Sequence, residues 1–241
     1  MMNGFPLITA HAGCMDTAMN SLESVLAGIG AGADIVEVDV NVTKDGVAVL
    51  YHDHFVYAAA WQKIALVDLT FQELKTVTNM IRLEEVLDVA MQYGVALNLD
   101  LKTPACAIPM AKAVRSRAMA DQVLLSGCDQ KDAVRVKQLC PEFQVLLNAD
   151  KGAAAYDQNQ YERYIQRTCH DAIAAACCGI NMDYKDCRDD FLRYARLRCL
   201  PVLLYTIDER AEMQRLLKLG VHAITTNDVP TLQSLIRGDG D

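Results

Sequence analysis

The sequence predicts a (β/α)8 barrel occupying residues 1–241 as a single domain. Three observations predict it. Short apolar runs alternate with longer stretches of helical period, the alternation repeats eight times, and 241 residues is close to the usual length of such a barrel. A doubly wound open sheet is the rival, because one or two misread elements would convert one arrangement into the other. No GxGxxG follows the first strand, however: GIGAG (28–32) precedes a strand and reads as the turn that ends a helix. No linker, low-complexity tract or internal repeat divides the chain.

The elements follow in order. Strands are expected at about 6–11, 34–40, 95–101, 122–126, 143–147, 177–181, 201–206 and 221–225, where short apolar runs lie between turn signals. Helices are expected near 20–31, 82–93, 105–118, 129–139, 158–174, 186–198 and 209–218, with a last one after Val229. The runs from Leu83 and from Met213 place apolar residues at i, i+3 and i+4, the signature of a helix with one buried face. A small insertion, about 41–78, interrupts the alternation after the second strand, and TKDG (43–46) within it reads as a hairpin turn. Its segment from Phe55 to Thr78 carries the strand-to-helix variation that sets substrate choice in barrels. Trp61 and the alanines at 58–60 could form an apolar entrance there or belong to ordinary core.

Composition excludes several classes of protein. Hydrophobic residues make up 52% and charged residues 22%, so a packed core is expected and disorder is not. The net charge of −8 repels a phosphate backbone, which argues against nucleic-acid partners, although a bound cation can reverse the sign locally. No apolar run approaches the roughly 20 residues of a membrane span. No signal peptide is visible in MMNGFPLITAH, and nine scattered cysteines without a CxxC pair suit a reduced, cytoplasmic protein rather than a disulfide scaffold.

Strand residues two apart share a face. In IVEVDV (35–40), Glu37 and Asp39 therefore oppose Val36, Val38 and Val40. In NLDLK (98–102), Asn98, Asp100 and Lys102 oppose Leu99 and Leu101, and in LITAH (7–11) Leu7, Thr9 and His11 align. With the apolar faces turned to the helices, the polar ones point into the barrel near strand C-terminal ends, where barrel chemistry resides. Three converging carboxylates repel one another unless a cation neutralises them, and an all-oxygen set suits Mg²⁺ or Ca²⁺. Lys102 is the alternative partner for Asp100. His11 and His52, each at the end of an apolar run, could form an acid–base pair beside the metal, and His54 could share the face of His52 if its strand continues. His170 and His222 read as ordinary polar residues, the latter at the stability end of the barrel. Thr225, Thr226 and Asn227 follow the last strand where barrels often bind phosphate, but they read better as a helix N-cap cluster ahead of Pro230.

The ordered motifs HAG (11–13), NS (20–21), GADIVEVDVNVTKDG (32–46), HD (52–53), DLK (100–102), YTID (205–208) and GVHAITTNDVP (220–230) resemble those of the glycerophosphodiester phosphodiesterase family. The matches run from the first strand to the last, with 32–53 the most specific stretch. The resemblance implies a metal-dependent (β/α)8 hydrolase that cleaves a glycerophosphodiester to glycerol 3-phosphate and an alcohol. It implies Glu37, Asp39 and Asp100 as metal ligands, His11 and His52 as acid and base, Lys102 as a contact for phosphate or for a ligand carboxylate, and Tyr205 as an aromatic wall. The chain departs from the family pattern at four of these places. Ala12 stands where the family has arginine, Met19 where it has an acid, Tyr205 where it has tryptophan and Asp100 where it has glutamate. The arginine is the largest loss, since it removes a planar donor suited to phosphate. Hydrolysis of another phosphodiester, such as a lysophospholipid or a sugar phosphodiester, and a non-catalytic metal- or metabolite-binding barrel are the competing expectations.

Overall fold

The structure, a computed structural model, describes residues 6–58 and 61–238. In chain order it comprises β1 (Leu7–Ala10), α1 (Leu22–Gly30), β2 (Ile35–Val42), β3 (Ala48–Leu50), β4 (Phe55–Tyr57), β5 (Lys63–Ala65), α2 (Phe71–Val77), α3 (Leu83–Tyr93) and β6 (Ala96–Leu101). There follow α4 (Ala107–Arg115), β7 (Val123–Cys128), α5 (Gln130–Leu139), β8 (Gln144–Asn148), α6 (Gln158–Ala174), β9 (Gly179–Asp183), α7 (Asp189–Arg196), β10 (Val202–Tyr205), α8 (Arg210–Leu219), β11 (Ala223–Thr226) and α9 (Val229–Arg237). The strands β1, β2, β6, β7, β8, β9, β10 and β11 pair in parallel and close through both β1–β11 and β1–β2. The fold is the expected (β/α)8 barrel.

Strand alternation builds two separate apolar regions. Ile8, Val36, Val38, Leu97, Leu99, Leu125, Val145, Ile180, Leu204 and Ile224 face outward and pack with the helices in one continuous core. Inside the barrel, Leu146, Leu203 and Ala223 pack with Leu7 and Leu124 toward its N-terminal end. The interior becomes polar only above this layer. In the register of β2 with β6, Glu37 lies beside Asn98 and Asp39 beside Asp100, so two successive rungs carry polar groups toward the C-terminal end.

Several boundaries differ from expectation. The insertion does not begin at residue 41, because β2 runs on to Val42 and pairs antiparallel with β3 through Val40–Leu50 and Val42–Ala48. Asn41 is only 1% exposed within this extension. It is tolerated there because its amide donates to the Asp53 carbonyl at 2.9 Å. The turn at TKDG forms as expected, with Gly46 N–H donating to Thr43 O at 3.0 Å. Beyond it, β3, the β4–β5 hairpin and α2 enclose their own small core of Val49, Val56, Leu66, Phe71, Leu74 and Met80. Trp61 does not join that core: it is 84% exposed and touches Tyr57 edge-on. Ala59 and Ala60 lie outside the described residues.

The expected strand at 177–181 is β9 at 179–183. The apolar run 173–178 spans the end of α6 and the turn after it, where Ala176 takes a positive φ of 53° and Cys177 N–H returns to Ala172 O. Asp183 thereby joins the strand end, and Cys177 and Cys178 precede it. Among the described residues no helix is long and apolar enough to cross a membrane.

Candidate active site

A cavity of about 310 Å³ opens at the C-terminal end of the barrel. It is lined by all seven residues singled out in the sequence: His11, Glu37, Asp39, His52, Asp100, Lys102 and Tyr205. Size does not distinguish this cavity. One of about 350 Å³ lies at the N-terminal side, lined by Arg196, Cys199 and His222 among others, and it lacks converging carboxylates. Chemistry distinguishes the site.

Glu37, Asp39 and Asp100 each offer an oxygen, and these oxygens lie within 4.8 Å of one another. Two of the carboxylates are anchored from the loop between β1 and α1 and the third from β7. Glu37 Oε2 accepts the Ala12 N–H at 3.0 Å, Asp39 Oδ2 accepts the Asn20 amide at 2.7 Å and Asp100 Oδ1 accepts the Ser126 hydroxyl at 3.0 Å. Asn20 also takes the Asp39 N–H on its own carbonyl at 2.9 Å, so a loop asparagine grips both ends of that residue. Gly127 makes room for Asp100: a Cβ there would sit 2.6 Å from Asp100 Oδ1, and its φ of +80° already excludes most side chains.

Lys102 reaches back into the cluster and pairs with Asp39 Oδ1 at 2.6 Å and with Asp100 Oδ2. Burial alone would lower its pKa, but the Asp100 and Asp39 carboxylates hold it above the ordinary lysine value. One ammonium does not balance three acids. Burial, reinforced by Asp39 and Asp100, pushes the Glu37 carboxyl up to about 8 against the lowering effect of the Ala12 N–H and Lys102. Asn98 Oδ1 is buried on the same cavity wall without a hydrogen-bond partner among the described residues. An all-oxygen, charge-starved cluster beside an unsatisfied carbonyl fits a hard divalent cation.

His11 leaves β1 with its backbone N–H on Thr226 O at 3.0 Å. Its Nδ1 contacts Asn227 Oδ1 at 2.9 Å and its Nε2 lies 4.0 Å from Glu37 Oε2. His52 follows β3 and is held by its neighbour, with Nδ1 at 2.8 Å from Asp53 Oδ1. His54 does not line the cavity, because β3 ends at Leu50 and residues 52–54 form a bend in place of a continued strand. Tyr205 closes another side, its hydroxyl pushed up to about 12 by burial and by Asp183 and Asp100.

The reading of Thr225–Asn227 as an N-cap cluster is corrected. Asp228 is the N-cap of α9, accepting the Thr231 N–H at 3.1 Å, which frees Asn227 for His11 and leaves Thr225 on the cavity wall. Sequence reading also passed over Ser126, Asn148, Lys151 and Asn181, all of which line the cavity. Alternation counted along β7, β8 and β9 would have found the strand residues. Lys151 lies in the loop after β8 and had no signal; its Nζ sits 5.4 Å from the Tyr205 ring centre, with no carboxylate partner among the described residues.

A closed (β/α)8 barrel with an acid cluster and two histidines at its C-terminal mouth has its candidate catalytic groups where barrel enzymes keep their chemistry. The model of the Glycerophosphoryl diester phosphodiesterase family matches residues 11–231, and the chain belongs to that family. It is a phosphoric diester hydrolase. It is 23% identical over 252 residues to a glycerophosphodiester phosphodiesterase of Caldanaerobacter subterraneus subsp. tengcongensis, covering 97% of this chain and 99% of that one. Among solved structures, a phosphodiesterase of Oleispira antarctica in complex with the product sn-glycerol-3-phosphate superposes with a TM-score of 0.80 at 22% identity, covering 96% and 97% of the two chains. A glycerophosphodiester phosphodiesterase of Thermotoga maritima superposes with a TM-score of 0.75 at 19% identity over 96% and 99%.

Proposed function

We propose that the chain hydrolyses glycerophosphodiesters to glycerol 3-phosphate and an alcohol in a divalent-cation-dependent reaction with Mg²⁺ or Ca²⁺, using His11 and His52 as proton carriers. The observation that carries this reading is the single cavity shared by two histidines and the three converging carboxylates. Glu37, Asp39 and Asp100 would hold the cation, which when bound offsets charge on the phosphoryl oxygens.

The rest follows from the chain's own groups. One histidine takes the proton of the attacking hydroxyl or water, and the other returns a proton to the departing alkoxide. His11 stands on the buried side of the cluster near Glu37, and His52 on the solvent side. With alanine at position 12, the substrate's charge needs another partner. Lys102 is committed to Asp39 and Asp100, so Lys151 meets the phosphate, with Tyr205 bounding the pocket beside it. All nine cysteines are free thiols, which suits a reducing, cytoplasmic setting.

The test is glycerol 3-phosphate release from a panel of glycerophosphodiesters with Mg²⁺, with Ca²⁺ and with chelator. Release that requires a cation is expected. Undiminished release in chelator would remove the metal from the proposal, and no release from folded protein under any cation would remove the substrate class.

A further inference from the structure

We infer that Asp208 and Asn227 form a hydrogen-bond relay of fixed polarity that holds His11 as the Nδ1–H tautomer and turns its Nε2 lone pair toward the carboxylate cluster; both are positioning residues. The inference deepens the proposed role of His11 and rests on it only for its catalytic consequence. The chemistry of each partner fixes the direction of each bond. Asp208 can only accept, and it receives the Asn227 N–H at 2.8 Å and the Thr226 hydroxyl at 3.1 Å on Oδ1, and the Asn227 side-chain amide at 2.8 Å on Oδ2. The Thr226 oxygen in turn accepts the Asp228 N–H at 2.9 Å, so its own hydrogen is left for Asp208.

With Nδ2 pledged to Asp208, the Asn227 side chain must present Oδ1 to His11. That oxygen carries no hydrogen, so the 2.9 Å contact requires the hydrogen to sit on His11 Nδ1. The backbone repeats the restraint. The N–H groups of His11 and Met15 donate to Thr226 O at 3.0 Å and Asn227 O at 2.9 Å, and Ile207 N–H donates to Thr225 O at 2.9 Å. The loops after β1, β10 and β11 thus meet at one asparagine.

The experiment combines ¹⁵N-histidine NMR on the full chain with steady-state kinetics, the His11 signals being assigned by their loss in His11→Gln. The wild type should show protonated Nδ1 and unprotonated Nε2 at His11. Asn227→Leu should mix the tautomers and lower kcat by about 10–100-fold, part of the ~10²–10⁴ a positioned base contributes, with KM within about threefold. Asn227→Asp, which restores an acceptor for Nδ1, should recover part of kcat. An Nε2–H tautomer in the wild type would overturn the relay even if every variant lost activity by misfolding. A folded Asn227→Leu with unchanged kcat would overturn its positioning role. Turnover that survives His11→Ala would instead sink the catalytic role of His11, and the tautomer signature would still decide the relay.

Discussion

The two histidines stand on different kinds of support. His11 belongs to the barrel: its strand pairs on both sides, its backbone is tied to the loop after β11, and its ring leans on an asparagine 216 residues away in the chain. His52 belongs to the insertion. Its side chain is 62% exposed and its partner is the adjacent Asp53, itself 53% exposed. Two contacts tie this segment to the barrel: the Tyr51 N–H donates to Asp39 O at 3.1 Å, and the amide of buried Asn41 reaches the Asp53 carbonyl. One histidine is thus placed by the barrel strands, and the other by the extension of β2 and the short strand paired to it.

The largest expected effect tests whether both supports serve the same reaction. Alanine at either His11 or His52 should lower kcat by about 10²–10⁴, with melting temperature nearly unchanged, because neither ring is part of a packed core. The measurement is turnover of a glycerophosphodiester alongside thermal unfolding. If only His11→Ala loses activity, His52 is not a proton carrier and the insertion contributes shape alone.

This contrast also explains what was legible in the sequence. Period-2 alternation in IVEVDV and NLDLK was enough to turn Glu37, Asp39, Asp100 and Lys102 inward, because a strand buried on both faces has only two directions for a side chain. The barrel followed from the repeated alternation of apolar runs and helical stretches. The Asp208–Asn227–His11 contacts were illegible for the opposite reason. They join loops from separate strands, and a one-residue shift of the cap from Asn227 to Asp228 decides whether that asparagine ends a helix or faces the site. Cap preference alone cannot separate adjacent Asn and Asp. Trp61 was equally undetermined, since a lone aromatic in a hairpin loop carries no period from which to read burial.

The next effect is on the tether between the two regions. Asn41→Ala removes a buried amide and leaves the Asp53 carbonyl to find another donor. It should cost about 1–3 kcal/mol, and at about 2–4 °C per kcal/mol the melting temperature should fall by several degrees. Activity should fall through His52, with the tautomer of His11 untouched. An altered His11 spectrum in this variant would show that the two supports are coupled.

The last effect concerns the acid cluster beside the histidines, and it depends on pH. Glu37 is pushed up to about 8 from a reference value of 4.5 by burial and by the Asp39 and Asp100 charges. Between those two values the folded chain keeps a proton that the unfolded chain has released, so this group makes stability fall as pH rises through that window. Below 4.5 the penalty vanishes, and above about 8 it is complete. Glu37→Gln, which retains an oxygen for the Ala12 N–H but never ionises, should therefore melt higher than wild type at pH 8.5 in chelator, and the gap should close as pH falls toward 5. Saturating divalent cation should shrink or reverse the gap, because it binds more tightly to the chain that keeps the third carboxylate. Thermal scans of both proteins across that range, with and without cation, would decide it. A gap that ignores both pH and cation would mean that Glu37 is neither strained by its neighbours nor a ligand, and the His11 side of the site would lose its electrostatic partner.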